Sequence, residues 1–216
     1  MDLLATAYRD LSAVLVDLTG EEGWQPTGCA GWTPVDLGFH LLSDARRALV
    51  ALNTPADGPV DTTAVDYWKA WRPPAPDDED ELWSTRVAAS VQGGLRAIQR
   101  RYAQAAPAVV VAARRVAPTD LVRTQDAVLP VADLLSTLVV EAAVHHLDLV
   151  LHLDRPGPAA GPLAEVRRIL EGLLGAPLPD RWDDVTAARR GTGREPLTDQ
   201  DRAELGDRAA ALPLFG

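Results

Sequence analysis

Apolar positions recur at steps of three and four over much of the chain, the spacing that lines one face of an α-helix. Leu3, Leu4, Ala7, Leu11, Val14, Leu15 and Leu18 predict a first helix over 2–19, closed near Gly20. A loop over 21–31 follows, marked by Gly23, Pro26, Gly28 and Gly31. Thr33-Pro34-Val35-Asp36 then reads as an N-cap, a first-turn proline and an acid at the third helical position, which starts a second helix over 34–52. Prolines and acids cluster from Asn53 to Asp80 around Tyr67, Trp68 and Trp71, so this stretch reads as a long loop with a short helical piece at 63–71. Trp83, Val87, Val91, Leu95, Ile98 and Tyr102 predict a third helix over 80–105, weakened or kinked at Gly93-Gly94. The run Val109-Val110-Val111, with Leu121-Val122 and the breakers Pro118 and Pro130, points to an extended connector over 107–129 with a small strand pair.

The strongest apolar helix is the fourth, over 131–153, carrying Leu134, Leu135, Leu138, Val139, Ala142 and Leu149 and ending before Asp154-Arg155-Pro156-Gly157. A fifth, over 162–175, carries Leu163, Val166, Ile169, Leu170, Leu173 and Leu174 and stops at Gly175. The tail holds a short helix near Trp182 and Val185, a break at Gly191-Thr192-Gly193, and another short helix from Thr198. The expected fold is all-α: a helical bundle with long connections over 1–175, with 176–216 as a short C-terminal helical extension packed on it.

Charge and composition remove whole classes of function. The 216 residues carry 21 Lys+Arg against 31 Asp+Glu, a formal charge of −10. Such a chain has no surplus of cations to displace the counterions of a phosphate backbone, which argues against nucleic acid. No basic and apolar leader opens it, and no apolar run approaches the roughly 18–20 residues of a membrane span. A soluble, cytoplasmic protein is the expectation. The single cysteine, Cys29, cannot form an internal disulfide or supply a thiolate metal cage, so any metal must be held by histidine and carboxylate. Phosphate-loop, dinucleotide, serine-hydrolase and His-Glu-x-x-His patterns are absent.

Four histidines make the ligand search short: His40, His145, His146 and His152. On the fourth helix, Glu141 and His145 stand one turn apart on the stripe that also carries Leu134 and Leu138, so both point into the bundle. A carboxylate buried there needs compensation, and a cation is one candidate. His40 shares an inward face with Leu37 and Leu41 on the second helix, giving a donor set of two imidazoles and one carboxylate: His40, Glu141 and His145. Three protein ligands leave a coordination position open, as catalytic sites do. Asp148 and Asp44, one turn after His145 and His40, are placed to orient the imidazoles. Arg47 either meets an anionic ligand or lies on a solvated face. Cys29, in the loop leading to His40, either sits near the site or, as the better reading, is a buried inert thiol; His146 reads as a surface or edge residue, and His152 as a helix-end residue. Trp68, Trp71 and Trp83 either line an apolar substrate entrance or serve the core or a dimer contact.

The segments Gly31-Trp32-Thr33-Pro34-Val35-Asp36-Leu37-Gly38-Phe39-His40-Leu41 and Val140-Glu141-Ala142-Ala143-Val144-His145-His146-Leu147-Asp148-Leu149 resemble the two signatures of the mycothiol-dependent maleylpyruvate isomerase N-terminal domain, in the wider DinB superfamily. The likeness covers 1–175, and the tail resembles a short extension of actinobacterial members. It implies a DinB-like four-helix bundle, a divalent metal, typically zinc, on His40, Glu141 and His145, and mycothiol as cosubstrate. Arg47 and Asp148 are the candidate cofactor-binding residues beside that triad. The implied chemistry is an S-transferase or isomerase in which a metal-activated thiolate attacks a small electrophile. The isomerase itself carries a separate, larger C-terminal domain, whereas only 176–216 follow the fifth helix here, so maleylpyruvate is not the expected substrate. Two alternatives remain open: a metal-dependent hydrolase using a metal-bound water with Asp148 as base, and a non-enzymatic ligand-binding DinB-like protein. A homodimer is also left open.

Overall fold

The computed structural model describes residues 2–71 and 80–215. Four long helices form an all-α, DinB-like bundle: α1 (Asp2–Asp17), α2 (Pro34–Leu52), α5 (Gly94–Ala113) and α6 (Val131–Val150). Their inward residues, among them Leu11, Leu15, Leu37, Leu42, Ile98, Val109, Leu134 and Leu138, make one buried core. The start of α2 follows the predicted chemistry. The Asp36 carboxylate accepts from the Thr33 backbone N–H at 2.9 Å and from its hydroxyl at 2.7 Å, and Pro34 occupies the first turn, where no N–H is needed.

Between α2 and α5 lie α3 (Ala64–Lys69), capped by Thr63, and α4 (Asp80–Ser90). The expectation of one helix over 80–105 is corrected: the chain breaks after α4, because Gly93 (φ 84°) and Gly94 (φ 76°) both sit in the left-handed region. Arg101 ties the break down by donating to the Gln92 carbonyl at 3.0 Å. The 72–79 part of the long loop expected over 53–80 lies outside the described residues.

The connector expected over 107–129 is corrected in its first part. The run Val109-Val110-Val111 is helical, and α5 continues to Ala113 with Pro107 inside it. A proline there removes one backbone hydrogen bond. Ala106, Val109 and Ala113 nevertheless lie buried on one face, and their packing outweighs both that loss and the strand preference of valine. The second part is the expected strand pair. β1 (Leu121–Thr124) and β2 (Ala127–Pro130) form an antiparallel hairpin with Leu121 opposite Pro130 and Thr124 opposite Ala127. Gln125 (φ 45°) and Asp126 (φ 65°) turn it. The segment after α2 closes its outer edge, with the Ala56 N–H donating to the Leu121 carbonyl at 2.9 Å.

α6 is buried on two sides. Leu134, Leu138, Ala142 and Leu149 face the bundle core, whereas Val140, Ala143, Val144 and Leu147 face a second one. That second core is completed by α3, α7 (Ala160–Leu174) and the residues beyond them, including Leu178, Trp182 and Phe215. Trp68 belongs to it and stacks on Phe215 at 4.4 Å, while Trp71 and Trp83 are exposed. The tail continues through α8 (Asp184–Gly191) and α9 (Asp199–Leu205). Among the described residues, no helix is long and apolar enough to cross a membrane.

Candidate metal centre

α2 and α6 pack side by side and bring three predicted donors together. His40 Nε2 lies 2.8 Å from Glu141 Oε1, and His145 Nε2 lies 3.4 Å from the same oxygen. The two imidazoles meet edge to face, with centroids 4.7 Å apart. One nitrogen from each histidine and one oxygen from Glu141 all fall within 4.8 Å of one another. Donors about 2.0–2.2 Å from a tetrahedral ion stand roughly 3.3–3.5 Å apart, so the trio fits a small divalent cation after a slight opening of the His40–Glu141 contact. Burial acts to push the Glu141 carboxyl up, but hydrogen bonds from His145 and His40 outweigh it and hold the group well below the usual carboxylate range.

Further contacts hold His145 from behind. Its Nδ1 is 2.9 Å from Asp148 Oδ2, as the one-turn spacing predicts. Burial alone would lower the pKa of His145, but Cys29, Asp148 and Glu141 raise it well above the ordinary imidazole value. The ring is therefore bracketed by acidic groups on both nitrogens, and a cation would take the place of the Nε2 proton. Trp32 covers the ring of His40 at 5.2 Å, with its Nε1 buried and unpaired.

The family model for the mycothiol maleylpyruvate isomerase N-terminal domain matches residues 4–150, which include every one of these side chains. The chain belongs to that family. Searches of the curated proteins and of the solved structures find no match.

In this member of the mycothiol maleylpyruvate isomerase N-terminal domain family, other sequence expectations shift. Asp44 does not orient His40: its carboxylate pairs with Arg47 one turn on, and burial pushes it up against the pull of that guanidinium. Arg47 is turned the same way, donating to Thr124 Oγ1 at 3.1 Å, so it faces Asp44 and the hairpin. His146 is not a surface residue. It is 1% exposed and its Nε2 meets the Pro156 carbonyl at 3.0 Å, because α6 has no solvent face at that position. His152 lies beyond the end of α6 and is exposed.

Cys29 takes the less favoured of its two readings, and the contacts of Arg194 and Tyr67 carry no sequence signal. Cys29 is half-buried beside the centre, its Sγ 3.2 Å from Asp148 Oδ2 and 3.6 Å from His145 Nδ1, so it sits near the site and is not an inert core thiol. Cys29 and Trp32 also line a cleft of about 320 Å³ with Trp24, Gln25 and Pro26. Arg194, far along the tail, donates to both oxygens of Asp148 at 2.7 and 2.9 Å. Tyr67 donates to Gln125 at the hairpin turn, and burial pushes its hydroxyl up to about 12.

The loop backbone approaches Asp148 closely at Gly28. Its N–H donates to the Asp148 carbonyl at 2.9 Å, and a Cβ there would lie 2.9 Å from the Asp148 Cα and closer still to its Oδ1. Gly28→Ala is therefore expected to push the loop off α6 and to cost about 1–3 kcal/mol, as overpacking does. A urea midpoint unchanged from that of the unsubstituted chain would refute the close approach.

Proposed function

We propose that the chain is a metal-dependent enzyme that uses mycothiol on a small electrophilic substrate, by transfer of the thiol or by thiol-assisted isomerisation. The observation that carries this reading is the convergence of His40, Glu141 and His145 at one point between α2 and α6, in a chain of the mycothiol maleylpyruvate isomerase N-terminal domain family. A divalent cation such as zinc, when bound by these three, favours thiolate over thiol at neutral pH and so supplies the nucleophile.

The protein's own part is to hold and tune that donor set. Glu141 gives the one negative charge among the three ligands and offsets part of the cation's charge in a partly buried site. Asp148 fixes the ring orientation of His145 through Nδ1, which leaves Nε2 as the ligand atom. Trp32 packs on one side of the His40 imidazole. The hydrolytic alternative needs a free general base, and Asp148 does not offer one: its side chain is 1% exposed and engaged by His145, Cys29 and Arg194.

Metal analysis of protein purified without chelators tests the first half of the proposal, with about one divalent ion per chain expected. Consumption of an aryl halide with and without mycothiol tests the second half. Sub-stoichiometric metal, or turnover undiminished after all small thiols are removed, defeats the reading.

A further inference from the structure

We propose that Arg194 is a positioning residue of the metal centre, so that the extension beyond the family match completes a site whose ligands all lie within it. The inference rests on the metal reading above. The family model ends at residue 150, yet the guanidinium of Arg194 reaches back to α6 and grips Asp148 with two parallel hydrogen bonds, Nε to Oδ1 at 2.7 Å and Nη2 to Oδ2 at 2.9 Å. Such a fork fixes a carboxylate in both position and plane. Oδ2 is the oxygen that His145 Nδ1 meets at 2.9 Å, so the chain of contacts runs from the tail through Asp148 to the imidazole.

The tail presents Arg194 rigidly. The Arg194 N–H donates to the Arg189 carbonyl at 2.8 Å, its Nη1 to the Thr192 carbonyl at 3.3 Å, and Thr192 is itself buried, its hydroxyl donating to the Ala188 carbonyl at 2.6 Å. The Leu214 N–H donates to the Gly191 carbonyl at 2.8 Å and closes the far side of the turn. The turn is thus held from α8 and from the end of the chain, and the guanidinium leaves it with little freedom. Without Arg194, Asp148 would keep, among the described residues, Cys29 and His145 as side-chain partners, and its carboxylate could rotate with the imidazole it is meant to hold. A guanidinium so placed also disfavours a second cation at the Cys29, His145 and Asp148 group, because the carboxylate is already neutralised.

The test uses the full chain, stripped of metal and titrated with zinc against a chromophoric chelator, with cobalt absorption as a second readout of ligand geometry. Arg194→Gln is expected to weaken zinc binding about 10–100-fold, the range for residues that orient a metal-bound histidine, and to alter the cobalt spectrum. Arg194→Lys keeps the charge but not the fork, and is expected to fall between that variant and the unsubstituted protein. If Arg194→Gln loses its helical circular dichroism, the zinc affinity and cobalt spectrum of Arg194→Lys decide instead. Zinc affinity within two-fold of the unsubstituted chain in a folded variant, with an unchanged cobalt spectrum, overturns the role. An unsubstituted chain that takes up no zinc overturns the metal reading instead, and the two failures are told apart by that control.

Discussion

Glu141→Gln is expected to leave a folded protein that no longer holds a stoichiometric metal ion. The amide keeps the size of the carboxylate and one oxygen able to accept from the imidazoles, so the packing between α2 and α6 survives. The charge does not. Glu141 stands 2.8 Å from His40 Nε2 and 3.4 Å from His145 Nε2, and it is the only anionic donor of the three. With Gln, two neutral imidazoles would face a dication in a partly buried site with no compensating charge. Removing a residue that merely orients a ligand costs roughly 10–100-fold in metal affinity, and loss of a charged ligand should exceed about 100-fold. Chelator competition on the folded variant measures it. One ion per chain at undiminished affinity would show that Glu141 is no ligand.

Asp201→Asn should give the largest loss of stability in the extension. Asp201 is 0% exposed and accepts from the Thr198 N–H and hydroxyl, both at 2.7 Å, from Trp182 Nε1 at 2.6 Å, from Arg190 Nη1 at 2.8 Å, and from Arg181. An amide cannot neutralise two guanidinium groups, and breaking a buried pair of this kind costs about 3–5 kcal/mol. For a chain of this length that is a fall of about 10 °C in Tm. Burial works against the ionised carboxylate, but the Thr198, Trp182 and Arg181 hydrogen bonds win and hold it well below its ordinary value of 3.8. The stability it contributes is therefore complete above 3.8 and is lost progressively as pH falls from there towards the lower folded value. The Asn variant should show a shallower decline in Tm on acidification. Thermal melts from pH 7 down to about pH 3 test both parts, and parallel curves with equal Tm at neutral pH would exclude this role.

The convergence of the candidate ligands was legible because helical phase is a local property. Thr33, Pro34 and Asp36 mark where α2 begins, so the direction of His40 follows; the step from Glu141 to His145 to Asp148 places all three on one stripe of α6. His146 was misplaced by the same logic, since a stripe argument assumes a solvent face opposite the core, and α6 has a second core there. The valines of α5 were misread because β-branched residues favour strands locally, and only the burial of Val109 in the bundle reverses that preference. Arg194 had no periodic signal at all. It stands on a turn, 46 residues from its partner, and its meaning arises only when the tail folds back on α6.

The two-sided burial of α6 also bears on where the chain can be divided. The family match ends at 150, the last residue of α6, yet Val140, Ala143, Val144 and Leu147 present an apolar strip to partners that, α3 apart, come later in the chain. A polypeptide cut at that point would expose to water the part of the strip that α7 and the later residues cover, and would leave Asp148 without Arg194. Severing this protein at the edge of the family's shared unit is thus expected to destabilise it: the unit borrows much of its outer wall from the residues that follow.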